Sequence, residues 1–176
     1  TVSQLITTAA NSLTRLVSLQ DTAKKLDVSY GATDSLALDL ANAESDYSNF
    51  AFTGASSLAQ KVIDTSGAGY TALSQGVEVK MRQIAKDAQD KVSPYRKLEL
   101  GALAGQLAQL DNKFADLNGK LANKSFAAAA DVALELPQLA EDFSLEAQGK
   151  SVAAEKERKQ KAAAQMGMVL DSTASR

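Results

Sequence analysis

Apolar residues recur along most of the chain at alternating steps of three and four, which is the spacing of one face of an α-helix. The most regular of these stripes consists of Leu100, Leu103, Leu107, Leu110, Phe114, Leu117 and Leu121. Shorter stripes predict further helices over residues 1–26, 36–50, 70–92 and 126–143. We expect the long stripe to pack on the last two of these, with Leu107 and Leu110 buried in the core.

Turn residues separate the stripes. Between the first two helices, Gly31 permits a positive φ, and Thr33 or Asp34 can cap the next helix by accepting hydrogen bonds from its free N–H groups. Pro94 predicts the end of the helix over 70–92, because proline disfavours helical geometry in the residue before it. Ser125 can cap the last long helix in the same way as Thr33.

Other glycines and a second proline predict interruptions. Gly54 predicts a break or kink, and Gly67 with Gly69 predicts a loop. Pro137 lies inside the last long helix, where it removes one backbone hydrogen bond and predicts a kink. Gly149 predicts the end of that helix.

Composition supports an all-α fold. The chain is 45% apolar and has only two prolines in 176 residues, a mixture that favours helix. We predict an up-and-down four-helix bundle, or five helices, over residues 1–149 and a charged C-terminal helical extension over residues 150–176. The extension has six Lys or Arg against three Asp or Glu, so it carries +3, and the total of −2 leaves −5 for the bundle.

The residue types that are missing exclude much enzyme and metal chemistry. The chain has no histidine and no cysteine, so imidazole and thiolate cannot act as ligands, bases or nucleophiles. Di-iron bundles need Glu-x-x-His pairs and are therefore excluded. No P-loop, EF-hand or dinucleotide motif occurs. Serine–lysine catalysis stays open by composition, but no Gly-x-Ser-x-Gly turn supports it. We expect a non-enzymatic protein without cofactor.

Acidic side chains are the remaining candidates for a metal site. They form two clusters, Glu141, Asp142 and Glu146, and Asp87 with Asp90. On helices, these positions are better interpreted as solvated faces opposite the apolar stripe. We therefore expect no metal site.

Two basic clusters are candidate contacts for a partner. They are Tyr95, Arg96 and Lys97 beside a proline, and Lys156, Arg158, Lys159 and Lys161 in the extension. In the extension, two glutamates each lie four residues before a lysine, the order that favours ion pairs on an exposed helix face. The alternative interpretation is a docking arm for an acidic protein surface or anionic lipid.

Charge and hydropathy bound the partners. A net charge of −2 gives no argument for nucleic acid. No apolar run approaches the roughly 20 residues that cross a bilayer, so we expect no spanning helix, while peripheral contact with a membrane stays open. The chain begins at Thr1 without an initiator methionine, which we interpret as removal of a targeting segment, or else trimming.

Residues 76–143 resemble a known family. They contain "DKVSPYRK", the leucine-rich "LAQLDNKFADL", a short "LANKSF" turn and a closing "LPQLAEDF". This order resembles the last two helices of the Q-type extrinsic subunit of photosystem II, a small four-helix bundle of the thylakoid lumen. The chain departs from the family in having no tryptophan, no proline-rich N-terminal arm and additional residues 150–176. The resemblance implies a non-enzymatic subunit that caps the lumenal face and helps retain calcium and chloride at the manganese cluster.

We therefore expect a non-catalytic accessory subunit docked on a larger complex. One alternative is a secreted or periplasmic bundle that binds an apolar ligand or lipid. Another is a scaffold or sensor bundle that acts by helix–helix association. Copurification with a large complex, extractable lipid, and concentration-dependent mass would distinguish the three.

Overall fold

A computed structural model describes residues 1–98 and 101–174, including the side chains of those residues up to 166. It contains five α-helices: α1 (Val2–Lys25), α2 (Asp34–Ser48), α3 (Phe52–Val92), α4 (Ala104–Ala122) and α5 (Phe126–Ala174). Short 3-10 turns lie at Ser93–Tyr95 and Gly101–Leu103, and no strand occurs among the residues described. These elements confirm the predicted all-α class, a helical bundle with a C-terminal helix.

The chain divides into two compact units. The first unit consists of Thr1–Ile84 and Asp116–Leu134, and the second of Ala85–Ala115 and Glu135–Arg176. The predicted helix end at Gly149 is wrong, because α5 continues through this residue. The division of the chain into 1–149 and 150–176 stays a prediction.

In the first unit, α1 and α3 run parallel and approach each other closely. A Cβ atom added at Gly69 would lie 3.3 Å from Cδ2 of Leu16, so the absence of a side chain sets the helix separation here. One turn earlier, the Ser66 hydroxyl is fully buried and lies 2.7 Å from the Ser12 hydroxyl. Tyr70 follows, with the Arg15 guanidinium carbon 4.7 Å from its ring centroid. Over two turns, α1 and α3 are thus held together by a close contact at Gly69, a buried hydrogen bond and a cation–π contact.

The glycines of α3 correct the sequence interpretation. The loop predicted at Gly67 and Gly69 and the break predicted at Gly54 are wrong, because α3 is continuous from Phe52 to Val92. A glycine costs a helix about 1 kcal/mol relative to alanine, and tight packing such as that of Gly69 on Leu16 can offset this cost.

In the turn between α1 and α2, both the residue with positive φ and the role of Thr33 differ from the prediction. Its positive φ, 56°, belongs to Asp27 rather than to Gly31. Thr33 is the N-cap residue of α2, but its side chain makes no capping hydrogen bond. Its hydroxyl donates to Gln20 Oε1 instead, at 3.4 Å.

In the second unit, α5 is joined to the end of α3 and to α4 by polar contacts. Lys91 forms an ion pair with Glu141, and the Ser144 hydroxyl donates to the Lys91 carbonyl at 3.2 Å. The α4 contacts are an ion pair between Lys113 and Glu135 and a 3.0 Å hydrogen bond from Gln106 to Glu146. Their order shows that α4 and α5 run antiparallel.

The long apolar stripe is mostly buried, as its spacing predicts. Leu103, Leu110 and Phe114 lie in the core of the second unit, and Leu117 with Leu121 in that of the first. Burial of Leu110 is confirmed. The same prediction for Leu107 is wrong, because this side chain is half-buried, and Leu100 lies outside the described residues.

Candidate docking surface

The surface with the strongest functional signal is the stretch of α5 over residues 150–166, here called the exposed segment. Every residue in it is exposed, and the last buried residue before it is Ala147. A helix that buries no apolar face is only marginally stable in water. Among the residues whose side chains are described, this part of α5 therefore buries no side chain of its own against the rest of the chain.

Local ion pairs give the exposed segment part of its order. Lys159 Nζ lies 2.9 Å from Glu155 Oε1, and Lys161 Nζ lies 2.9 Å from Glu157 Oε1. Such pairs stabilise a helix by about 0.2–0.5 kcal/mol each, as expected for an exposed face. The predicted pairs are confirmed, and they leave other cations of the segment, such as Lys156, available.

One face of the exposed segment combines apolar and cationic residues. We call it the mixed stripe, and its members are Val152, Lys156, Lys159, Ala163 and Met166. The side chains at its two ends are apolar and largely exposed, 62% for Val152 and 67% for Met166. Lysine stems can also cover apolar surface while the ammonium groups stay in water. The stripe can therefore pack against a partner that is apolar at both ends and acidic in the middle.

The second predicted cluster has a more structural role. Arg96 donates two hydrogen bonds to Asp111, at 3.1 and 2.6 Å, and so ties the turn after α3 to α4. The hydrogen bond from Arg96 holds the pKa of Asp111 below its ordinary value, and the same bond raises that of Arg96. Tyr95 is half-buried and Lys97 is exposed. A docking role for these three residues stays a prediction.

A cavity in the second unit lies next to both clusters. Its volume is about 350 Å³, and its lining includes Leu98 and Leu103 as well as Lys150, Ser151 and Arg158 of α5. The predicted docking set does not include Lys150, although Lys150 and Arg158 line the same cavity and so lie on one side of α5.

The acidic clusters are used in ordinary surface contacts. Their partners are Lys91 for Glu141, Gln138 for Asp142, Gln106 for Glu146 and Lys86 for Asp90. Within the part of the chain that the structure describes, no group of three or more acidic side chains is arranged to hold a metal ion. In the same part, no helix combines the length and apolar character that a bilayer crossing requires.

An aromatic surface at the corner between α2 and α3 escaped the sequence interpretation. The helical period over 36–50 predicts Tyr47 and Phe50 on the apolar face that begins at Leu36, whereas they are 40% and 80% exposed. The Phe52 ring contacts both, with centroids 5.6 Å from Tyr47 and 6.1 Å from Phe50. For Phe50 the prediction is wrong because α2 ends at Ser48, so the helical period no longer applies to it. Tyr47 lies within α2 and contacts the Phe52 ring at the surface.

Comparison with known proteins gives no relative. No protein-family model matches this chain, and no curated protein or solved structure shows significant similarity to it. We therefore argue function from the surfaces of this chain alone.

Proposed function

We propose that this protein is a non-catalytic accessory subunit that docks on an acidic surface of a larger assembly through the exposed segment of α5. The observation that carries the proposal is the exposure of all residues from 150 to 166 in a helix with an excess of positive charge. Five Lys or Arg and two Glu give this segment a charge of +3. A partner surface supplies the packing that a lone helix lacks.

The charge pattern favours a different molecule over a second copy as the partner. In an antiparallel pair of exposed segments, Val152 would face Met166 and Lys159 would face Lys159 of the other copy. In a parallel pair, each lysine of the mixed stripe would face itself. Like charges opposed in this way are destabilising. An acidic surface removes this repulsion, which supports docking rather than self-association.

The first assembly to test is photosystem II, on the basis of the sequence resemblance of residues 76–143. In that case the protein would act at the lumenal face, as an extrinsic subunit of the Q type does. The docking proposal does not require this particular assembly, because it is argued from the charge and exposure of residues 150–166.

The test is the size of the native particle that contains the protein in extracts of its source. We expect the protein in a large complex at low salt and its release as salt rises, because screening weakens contacts between surface charges. The charge reversals Lys156→Glu, Lys159→Glu and Lys161→Glu together should abolish incorporation. A second variant, Lys156→Glu with Arg158→Glu, should weaken it while leaving both ion pairs of the segment in place.

A matched control separates a specific surface from a general effect of net charge. Lys24→Glu, Lys80→Glu and Lys124→Glu together change the charge by the same amount at exposed positions in the first unit. We expect this control to enter the complex normally. Equal incorporation of the control and both tail variants, with the same salt dependence, would contradict docking through α5. If the protein is released by salt from a complex that contains no photosystem II subunits, docking through α5 stands and only the choice of photosystem II as the partner is wrong.

A further inference from the structure

The first unit contains a groove that the docking proposal does not use. It has a volume of about 340 Å³ and lies between α1, the 28–33 turn, the start of α2 and α3. Its floor is formed by buried side chains, including Leu16, Leu36 and Leu73. Tyr30, which is about half exposed, is part of its lining. Pockets of this size hold small organic molecules. For comparison, an apolar cavity of about 150 Å³ is large enough for benzene.

The lining of the groove determines the charge of a suitable ligand. Among the described residues that line it, none is Asp, Glu, Lys or Arg. A charged ligand would lose hydration there without gaining a counter-charge, which is costly. A neutral ligand loses little hydration and covers the apolar floor. The groove is therefore matched to uncharged molecules.

One buried polar side chain can orient a ligand in the groove. Gln20 is only 8% exposed, and its Nε2 donates to the Gly31 carbonyl at 2.8 Å. Its Oε1 accepts from the Thr33 hydroxyl at the longer distance of 3.4 Å. A glutamine amide has two N–H donors and two acceptor lone pairs, so these two bonds leave one of each unused in a residue that lines the groove.

Gly76 lines the α3 wall of the groove without a side chain. A Cβ atom at Gly76 would lie 3.5 Å from Cγ1 of Val28, which is ordinary contact, so the fold itself does not require glycine here. Glycine nevertheless costs the helix about 1 kcal/mol relative to alanine. At Gly67, on the same helix but outside the groove lining, a Cβ would meet open space.

We propose that this groove binds a small, neutral, mainly apolar molecule with one hydrogen-bonding group, which Gln20 recognises. A site of this kind goes beyond the docking function and does not depend on it. Since all groove residues lie in the first unit, the site can be tested while residues 150–166 remain unchanged.

The experiment is a fluorescence titration of the full chain with N-phenyl-1-naphthylamine, a neutral two-part aromatic probe with one N–H donor. We expect saturable binding at the groove, which is told apart from any binding at the cavity beside Leu98 and Leu103 by its dependence on Gly76. The same rings with a sulfonate, as 1-anilinonaphthalene-8-sulfonate, can also bind at the cavity beside Lys150 and Arg158. The comparison is therefore made on the binding that Gly76→Leu removes, where we expect the sulfonate to bind at least about tenfold more weakly, since the groove lining contains no cation. Gly76→Leu should fill the groove and weaken binding of the neutral probe by about tenfold or more, while its matched control Gly67→Leu should leave it unchanged.

Folding of the variants is checked by far-UV circular dichroism and thermal melting. If Gly76→Leu does not fold, Gly76→Ala replaces it, because its Cβ makes only ordinary contact with Val28. This smaller change should weaken binding about threefold while the helix melts at the same or a higher temperature. The proposal is overturned if no binding of the neutral probe depends on Gly76, if the sulfonate binds equally well at this Gly76-dependent site, or if the Gly76 and Gly67 variants bind alike.

Discussion

At the scale of single residues, three helices end at a non-glycine residue whose backbone has a positive φ, a conformation that glycine prefers. Asp27, Phe50 and Lys124 have φ values of 56°, 60° and 54°. After each of them, the next backbone N–H bonds to a carbonyl five residues earlier, as from Ser125 to Lys120. This is the Schellman arrangement, in which the residue with positive φ is usually glycine.

Lys124→Gly should therefore stabilise the protein. A non-glycine residue in the left-handed region costs roughly 1–2 kcal/mol, and the exposed Lys124 side chain contributes little packing in return. Part of the gain is lost because glycine is more flexible in the unfolded chain, so we expect a net increase of about 0.5–1 kcal/mol. Urea denaturation measures it. Ala122→Gly, two residues earlier and inside α4, should instead lower stability, and stabilisation by both changes would argue against this explanation.

The ion pair between Arg96 and Asp111 predicts a pH dependence. Because the pKa of Asp111 is lowered in the folded protein, the pair contributes fully above the ordinary value of 3.8 and its contribution is lost as pH falls through the lowered pKa. Asp111→Asn should thus reduce the free energy of unfolding at pH 7, and the difference from the parent should shrink in acid. Both side chains are more than one-third exposed, so added salt should also reduce the difference.

The control for Asp111 is Asp116→Asn, which removes a carboxylate from an ion pair within α4 itself. Pairs of this kind are worth only about 0.2–0.5 kcal/mol, so its effect at pH 7 should be smaller than that of Asp111→Asn. An equal loss for both variants, or a loss for Asp111→Asn that does not depend on pH, would contradict the assigned role.

At the scale of secondary structure, the sequence predicts helices better than it predicts where they stop. The end of α3 at Val92 follows from Pro94, whose effect on its neighbour is local. The continuity of α3 through Gly67 and Gly69 does not follow, because it depends on the contact of Gly69 with Leu16 on another helix. Local propensity cannot include such a contact.

The candidate surfaces divide in the same way. Exposure of residues 150–166 could be predicted because their apolar residues do not form a continuous stripe. The groove beside Gln20 could not, since its walls come from segments that are far apart in sequence. A glutamine in the otherwise apolar stripe of α1 was the only local signal of it.

The two parts of α5 should differ in backbone stability. Residues 126–147 include buried side chains such as Leu136 and Phe143, whereas residues 150–166 have none. Amides in a helix without packing open by local fraying rather than by global unfolding. Hydrogen exchange followed by mass spectrometry should show much faster exchange over 150–166 in the isolated protein. Equal protection of both parts would mean that the exposed segment is already packed in solution.

At the scale of the whole molecule, the fold should be independent of metal ions. The chain has no histidine or cysteine, and the side chains buried in each of its two units are mainly apolar. A metal that binds only the folded state at a concentration of 100 times its Kd would add about 2.7 kcal/mol. For a chain of this size, that gain would raise the melting temperature by roughly 5–10 °C. We expect the melting temperature to change by less than about 2 °C when EDTA is added, and likewise when excess calcium is added. Such a change is well below the shift expected for a bound structural metal. Circular dichroism at 222 nm during heating measures both. A drop of several degrees in EDTA would show that carboxylates of this chain hold a structural ion, and would require the acidic faces of its helices to be interpreted again.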